Sequence, residues 1–232
     1  MNLTKTIETE YASITPEKVA ELKARPFPKE FPRALHTLLN EVCPQDDTFE
    51  GDSIIHDYTV SLAMIKVLSF DYTPEDITAF SLALSPFEEH EFFSRSGIFL
   101  SALINLHQEK TKTTKPYVLV TDYLEKKIDN LCIKNSESNI QIIGDCGYHC
   151  GFKMESGTII VEGSTGYGVG HKMYSGNIEI KKNTKKIGGQ DYFSGGKITV
   201  YGDKPEIDIF GWIEMSVGKT GEIYHREKKI FP

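Results

Sequence analysis

The chain has 232 residues, 39% of them hydrophobic and 25% charged, with a formal net charge of −7. That is enough for one large or two modest domains with real cores, and the four cysteines, at positions 43, 132, 146 and 150, form no small-scaffold disulfide framework. The opening Met-Asn-Leu-Thr-Lys-Thr-Ile-Glu-Thr-Glu lacks the apolar core of a signal peptide, and the longest apolar run, near Ile98–Leu106, is too short to span a bilayer.

These features predict a cytoplasmic protein with reduced thiols and no membrane partner. Charge is uneven: residues 1–112 carry 10 Lys/Arg against 18 Asp/Glu, and the remainder 16 against 15. An acidic first half argues against a nucleic-acid surface there. The one basic cluster, Lys181-Lys182-Asn-Thr-Lys185-Lys186, reads as a solvated turn, since no aromatic platform accompanies it in sequence.

Residues 1–14 read as a loose terminus. Thr15-Pro16-Glu17 then opens a helix, with threonine as cap, proline at the first helical position and an acid in the first turn. The prolines of 26–32 predict an extended stretch, because each disfavours helix in its predecessor. Leu35, Leu38, Leu39 and Val42 predict a second helix over Pro32–Val42, and residues 43–51 a loop.

Ile55, Tyr58, Leu62, Ile65 and Leu68 give a third helix over Asp52–Ser69, apolar on most sides and so expected at the centre of the first domain. Thr73-Pro74-Glu75-Asp76 starts a helix to about Leu84. Ser85-Pro86 starts another to about Gln108, with a weak point at Gly97. Four or five helices make a small bundle over residues 1–112, and the Thr/Lys stretch Lys110–Lys115 is the expected domain boundary.

Residues 113–232 are written differently. Gly151-Phe-Lys-Met154-Glu-Ser-Gly157 returns as Gly170-His-Lys-Met173-Tyr-Ser-Gly176. It then recurs, one residue longer, as Gly189-Gln-Asp-Tyr-Phe193-Ser-Gly-Gly196 and Gly211-Trp-Ile-Glu-Met215-Ser-Val-Gly218. The pairs Ile140/Ile142, Ile159/Val161, Ile178/Ile180 and Ile198/Val200 keep step with it. A period of about 20 residues with alternating apolar residues marks a solenoid, and residues i and i+2 share one face of a strand. The expected fold is therefore α+β in two domains, a helical bundle followed by a parallel β-helix. Ile140, Ile159, Ile178 and Ile198 form one inner column and Met154, Met173, Phe193 and Met215 another. Val118/Val120 stand in register before Ile140/Ile142 in an irregular first coil that uses Leu131 and Ile133.

The string from Ile142-Ile-Gly144-Asp-Cys-Gly147 through Gly151, Met154, Gly157, Val161 and Gly163, followed by Gly166-Tyr-Gly168-Val-Gly170, resembles the domain named for its G-x-G-x-G repeats. That domain forms the C-terminal part of the glutamate synthase large subunit and a subunit of formylmethanofuran dehydrogenase. The resemblance covers about residues 117–224. It implies a right-handed β-helix without catalytic residues of its own, packed against catalytic domains or subunits.

Three chemical readings stand beside blander ones. Cys146-Gly-Tyr-His149-Cys150 offers two thiols and an imidazole to zinc, with Cys132 or His171 as a fourth ligand from a neighbouring coil. The next repeat has Thr165, Gly168 and Val169 in those places, so ordinary turn residues also account for them. His36 and His56-Asp57 on successive helices suggest a metal-dependent hydrolase of the His-Asp type, while His90, among Glu88, Glu89 and Glu91, reads as a solvated helix start. Gly166-Tyr-Gly168-Val-Gly170 has the glycines of a phosphate loop but leads toward another strand rather than a helix.

The expected function is a non-catalytic structural or interaction protein that uses a rigid β-helix face toward a protein partner or a second copy of itself, with no cofactor. Tyr148, Tyr167, Tyr174 and Trp212 are the expected contact residues. The alternatives are an accessory subunit of a glutamate-synthase-like or formyl-transferring oxidoreductase complex, and the metal-dependent hydrolase.

Overall fold

The computed structural model describes residues 16–40, 50–84, 91–188, 195–207 and 221–231. Among them are five helices: α1 (Pro16–Ala24), α2 (Glu30–Asn40), α3 (Glu50–Leu68), α4 (Pro74–Leu82) and α5 (Phe92–Thr111). Nine strands follow: β1 (Tyr117–Val120), β2 (Asn139–Ile143), β3 (Thr158–Val161), β4 (Asn177–Ile180), β5 (Lys186–Ile187), β6 (Lys197–Val200), β7 (Glu206–Ile207), β8 (Glu222–His225) and β9 (Lys228–Phe231). The two-part layout is the expected one, helices and then a parallel β-solenoid. No described helix is long and apolar enough to cross a membrane.

The main sheet runs β1-β2-β3-β4-β6-β8-β9, parallel throughout except for the closing β8–β9 hairpin, and β5 pairs with β7 in a second small parallel sheet. Ile140 faces Ile159, which faces Ile178, which faces Ile198, which faces Ile223. Ile142, Val161, Ile180 and Val200 form the adjoining inner column, and all of these are buried. Each side chain withdrawn from water in this way contributes roughly 1.5–3 kcal/mol.

Met154 and Met173 are fully buried in the same core, and the Met154 carbonyl accepts from the Tyr174 amide at 2.8 Å, one coil on. Gly176 and Gly196 explain the glycine that closes each repeat. Both have positive φ, +97° and +90°, and a Cβ on them would lie 2.5 Å from the methyl of Met154 and Met173 respectively. Phe193, Met215 and the repeats that hold them lie outside the described residues.

The first coil corrects one expectation. Tyr117 pairs with Ile140 and Leu119 with Ile142, so Tyr117 and Leu119 point inward, and Val118 and Val120 point out. The outward pair is covered as well: Val118 and Val120 join Val19 and Leu22 of α1 and Leu82 of α4 in a small second cluster. Where both faces of a strand are buried, apolar alternation does not reveal which is inside, and a one-residue slip exchanges the faces.

The helices close the open end of this coil. The Val120 amide donates to the Ser81 hydroxyl of α4 at 3.2 Å, and Tyr123 donates to the Ser81 carbonyl. On α5, Ser101 accepts from the Ile133 amide (3.2 Å), Asn105 donates to the Ile133 carbonyl (2.9 Å), and the Phe93 carbonyl accepts from the Asp129 amide (3.3 Å). Asn130 donates to Ser94 at 2.8 Å. Backbone groups that a preceding coil would satisfy are thus satisfied by the helical part, as buried edges require. One apolar cluster consequently runs from Phe31 and Leu38 through Phe99 and Leu103 to Ile198 and Ile223.

This places α5, not α3, at the centre. Its residues Ile98–Asn105 are all buried, whereas α3 leaves Ala63, Lys66 and Val67 exposed. Helix α4 starts as expected, with a capping box in which Thr73 accepts from the Asp76 amide (3.2 Å) and Asp76 accepts from the Thr73 amide (2.9 Å). Helix α2 begins at Glu30, ahead of Pro32, because a proline in the first turn lacks an N–H that the helix does not use there. Helix α5 begins at Phe92 after Glu91 in the left-handed region, and the Ser85-Pro86 start lies outside the described residues.

Candidate interaction face

The chain leaves β2, β3 and β6 through turns that hold Gly144, Gly163 and Gly202, and returns along a second wall. Cys146, Cys150, Val169 and Ile187 are buried on its inner side, and parallel bridges join Thr165 to Thr184 and Val169 to Ile187. Its outer side carries Tyr148 and Tyr167. Their rings stack at 5.8 Å between centroids and 29° between planes, and the Lys185 ammonium sits 5.2 Å from the Tyr167 ring. Coil-to-coil hydrogen bonds set this spacing: the His149 amide donates to Tyr167 (2.9 Å) and the Gly168 amide to Lys186 (3.1 Å). The Asp129 carboxylate accepts from the Tyr148 amide at 2.7 Å.

Tyr148 and Tyr167 remain 46% and 44% exposed although the backbone that carries them is hydrogen-bonded from coil to coil. They form a ladder of aromatic surface already ordered by stacking, worth about 0.5–1.5 kcal/mol per pair, and by the lysine above it. Tyr174 is also exposed, on the next corner, and Trp212 lies outside the described residues. The main sheet adds a second pre-ordered patch near its C-terminal end. Lys181 lies 2.8 Å from the Glu179 carboxylate and over the Tyr201 ring, and Lys229 lies 2.7 Å from Glu222. Burial opposes the Lys181 charge, but Glu179 outweighs it and holds the ammonium pKa above its ordinary value. Nearer the helices, the outward-facing Gln141 and Ile160 are buried.

The remaining candidates fall elsewhere. Cys132, Cys146 and Cys150 are free and buried in the same core, and the Cys146 thiol lies 3.9 Å from the Ile128 carbonyl. Burial pushes the Cys132 and Cys146 thiols up, as expected for thiols without a cation in an apolar interior. His149 and His171 pack against Phe152, with centroids 6.1 and 5.3 Å from it, and His149 also fills the space beside Gly168. Among the described residues no group of three or more His, Cys, Asp and Glu is placed to hold a metal ion.

His36 and His56 are exposed. The Asn40 amide donates to the His36 carbonyl at 2.7 Å, whereas Asp57 is turned inward to Arg95 at 3.1 Å. His90 lies outside the described residues. The amides of the glycine run are spent on neighbouring coils: Gly166 donates to Cys146 (3.1 Å) and Gly170 to Cys150 (2.9 Å), so they do not converge on a phosphate-sized space. The basic cluster divides between the two outer faces, with Lys181 over Tyr201 and Lys185 over Tyr167. Linear order had hidden these aromatic partners, since each sits on an adjacent coil. No protein-family model, curated protein or solved structure matches the chain.

Proposed function

We propose that the protein is a non-catalytic binding module, a helix-capped, right-handed parallel β-helix of about 20-residue coils of the G-x-G-x-G kind, whose tyrosine wall docks a protein partner or a second copy of the chain. The Tyr148–Tyr167–Lys185 ladder carries this reading. Its rings are exposed yet fixed, so docking would immobilise few further rotamers, each of which otherwise costs about 0.5–1.5 kcal/mol. Aromatic anchors flanked by charge are the composition of interface hot spots.

The test is photo-crosslinking in cells with benzoylphenylalanine in place of Tyr167, using Lys18, exposed on α1, as the control position. A discrete crosslinked species from position 167 and none from 18 is expected, and its mass separates self-association from a second protein. Equal or absent crosslinking at both positions would remove the wall as a docking surface.

A further inference from the structure

A cleft of about 700 Å³ opens between α3, the turn at Ser69–Tyr72 and α5, and a second of about 230 Å³ continues it toward the solenoid. The two share Lys66, Leu106 and Glu109, so they form one trough. The larger volume lies in the range of about 300–1,000 Å³ usual for small-molecule sites. Its wall is mixed, with Ile65, Phe70, Tyr72 and Leu106 set among polar and charged side chains.

The charges along the trough are not equivalent. Lys110 pairs with Asp71, Lys112 with Glu137 and Lys134 with Glu155. Lys66 on α3 and Glu109 on α5 border both cavities, and neither makes a hydrogen bond or ion pair among the described residues. The floor of the smaller cavity adds two carboxamide side chains, Asn105 and Gln108. Asn105 donates to Tyr58 at 2.7 Å and to the Ile133 carbonyl at 2.9 Å, and Gln108 accepts from Tyr117 at 3.2 Å.

We infer that this trough binds a free amino acid with an apolar side chain, its carboxylate on Lys66, its ammonium on Glu109 and its side chain against Phe70, Tyr72 and Leu106. One unpaired cation and one unpaired anion on facing helices match a zwitterion, and a ligand with a single charge would leave one of them unanswered. The trough lies between the helical part and Lys134, Ser136 and Glu155 of the solenoid and includes no residue of the tyrosine wall, so it stands or falls independently of the docking role.

The experiment is calorimetric titration of the full chain with L-phenylalanine and L-leucine, set against N-acetyl-L-phenylalanine and L-phenylalaninamide, which each lack one charge. At least one free amino acid binds, and each capped form loses about tenfold or more in affinity. Lys66→Met and Glu109→Gln each cause a similar loss, with an unchanged near-ultraviolet dichroism spectrum because both residues are exposed. Glu109→Gln leaves binding of the N-acetylated form, already without an ammonium, unaffected. The inference is overturned if neither free amino acid binds at millimolar concentration, if the capped forms bind equally well, or if the two variants bind as the parent does.

Discussion

Replacing Gly97 by alanine is expected to destabilise the protein by about 3 kcal/mol or more, although mid-helix the same change ordinarily stabilises by roughly 1 kcal/mol. The sign is reversed by what faces the glycine. A Cβ at position 97 would lie 1.9 Å from the Asp129 carbonyl oxygen and 2.9 Å from a methyl of Ile128, both on the first solenoid coil. The nearer obstacle is backbone and cannot rotate aside. Helix α5 would have to lift, and the Ser101 and Asn105 bonds to Ile133 would be lost with it. Urea unfolding reads the result directly: a lower midpoint is expected, and an unchanged or raised midpoint would mean that α5 does not rest on the coil.

The second large effect is at Arg95, which should cost about 3–5 kcal/mol when replaced by methionine. This buried guanidinium lies 3.1 Å from Asp57 of α3 and 3.1 Å from Glu91, and donates to the Leu38 carbonyl at 2.7 Å and the Leu39 carbonyl at 3.2 Å. It ties three helices and places a cation at the carbonyl end of α2, where the helix dipole favours one. Methionine fills similar space but leaves the Asp57 carboxylate buried without its counter-charge.

The pH dependence of the variant has a definite sign. Burial already raises the Asp57 pKa against the pull of Arg95, and removing Arg95 raises it further. A carboxyl with a folded pKa above its unfolded one gains a proton on folding, so stability is lost as pH rises through that window and recovered as pH falls. The deficit of Arg95→Met should therefore be smaller at about pH 5 than at about pH 7. A deficit that stays constant or grows on acidification would show that Asp57 is not the group left exposed to the loss.

What was legible in the sequence was whatever repeats or caps locally. Ile140, Ile159, Ile178 and Ile198 stand in line because one residue type recurs at one phase, and the Met154 and Met173 positions follow for the same reason. The Thr73 capping box is contained within four residues and needs no tertiary knowledge. The register of β1 was not legible, because helices cover its outer face and remove the polar residues that would mark it.

The central place of helix α5 is hidden in the sequence for a related reason. Ser94, Gly97, Ser101 and Asn105 recur at helical spacing, a small and polar stripe that looks like weakness in an isolated helix. It is the surface that bonds to the backbone of the first coil. The stripe itself was readable, but a polar face on a central helix has meaning only once the open end of a solenoid is known to need partners. Tyr148 and Tyr167 read as exposed aromatics in the sequence, whereas their stacking and the lysine beside them depend on which coils are adjacent. The unpaired Lys66 and Glu109 carry no signal in sequence, since their distinction is that every neighbouring charge found a partner.

The helical part seals the first coil, and hydrogen exchange on the intact chain measures that seal. The amides of Val120 and Ile133, which donate to Ser81 and Ser101, should exchange as slowly as those of the interior strand Thr158–Val161. Rapid exchange across 117–121 and 130–134, comparable with the exposed turn at 226–227 while 158–161 stays protected, would contradict it.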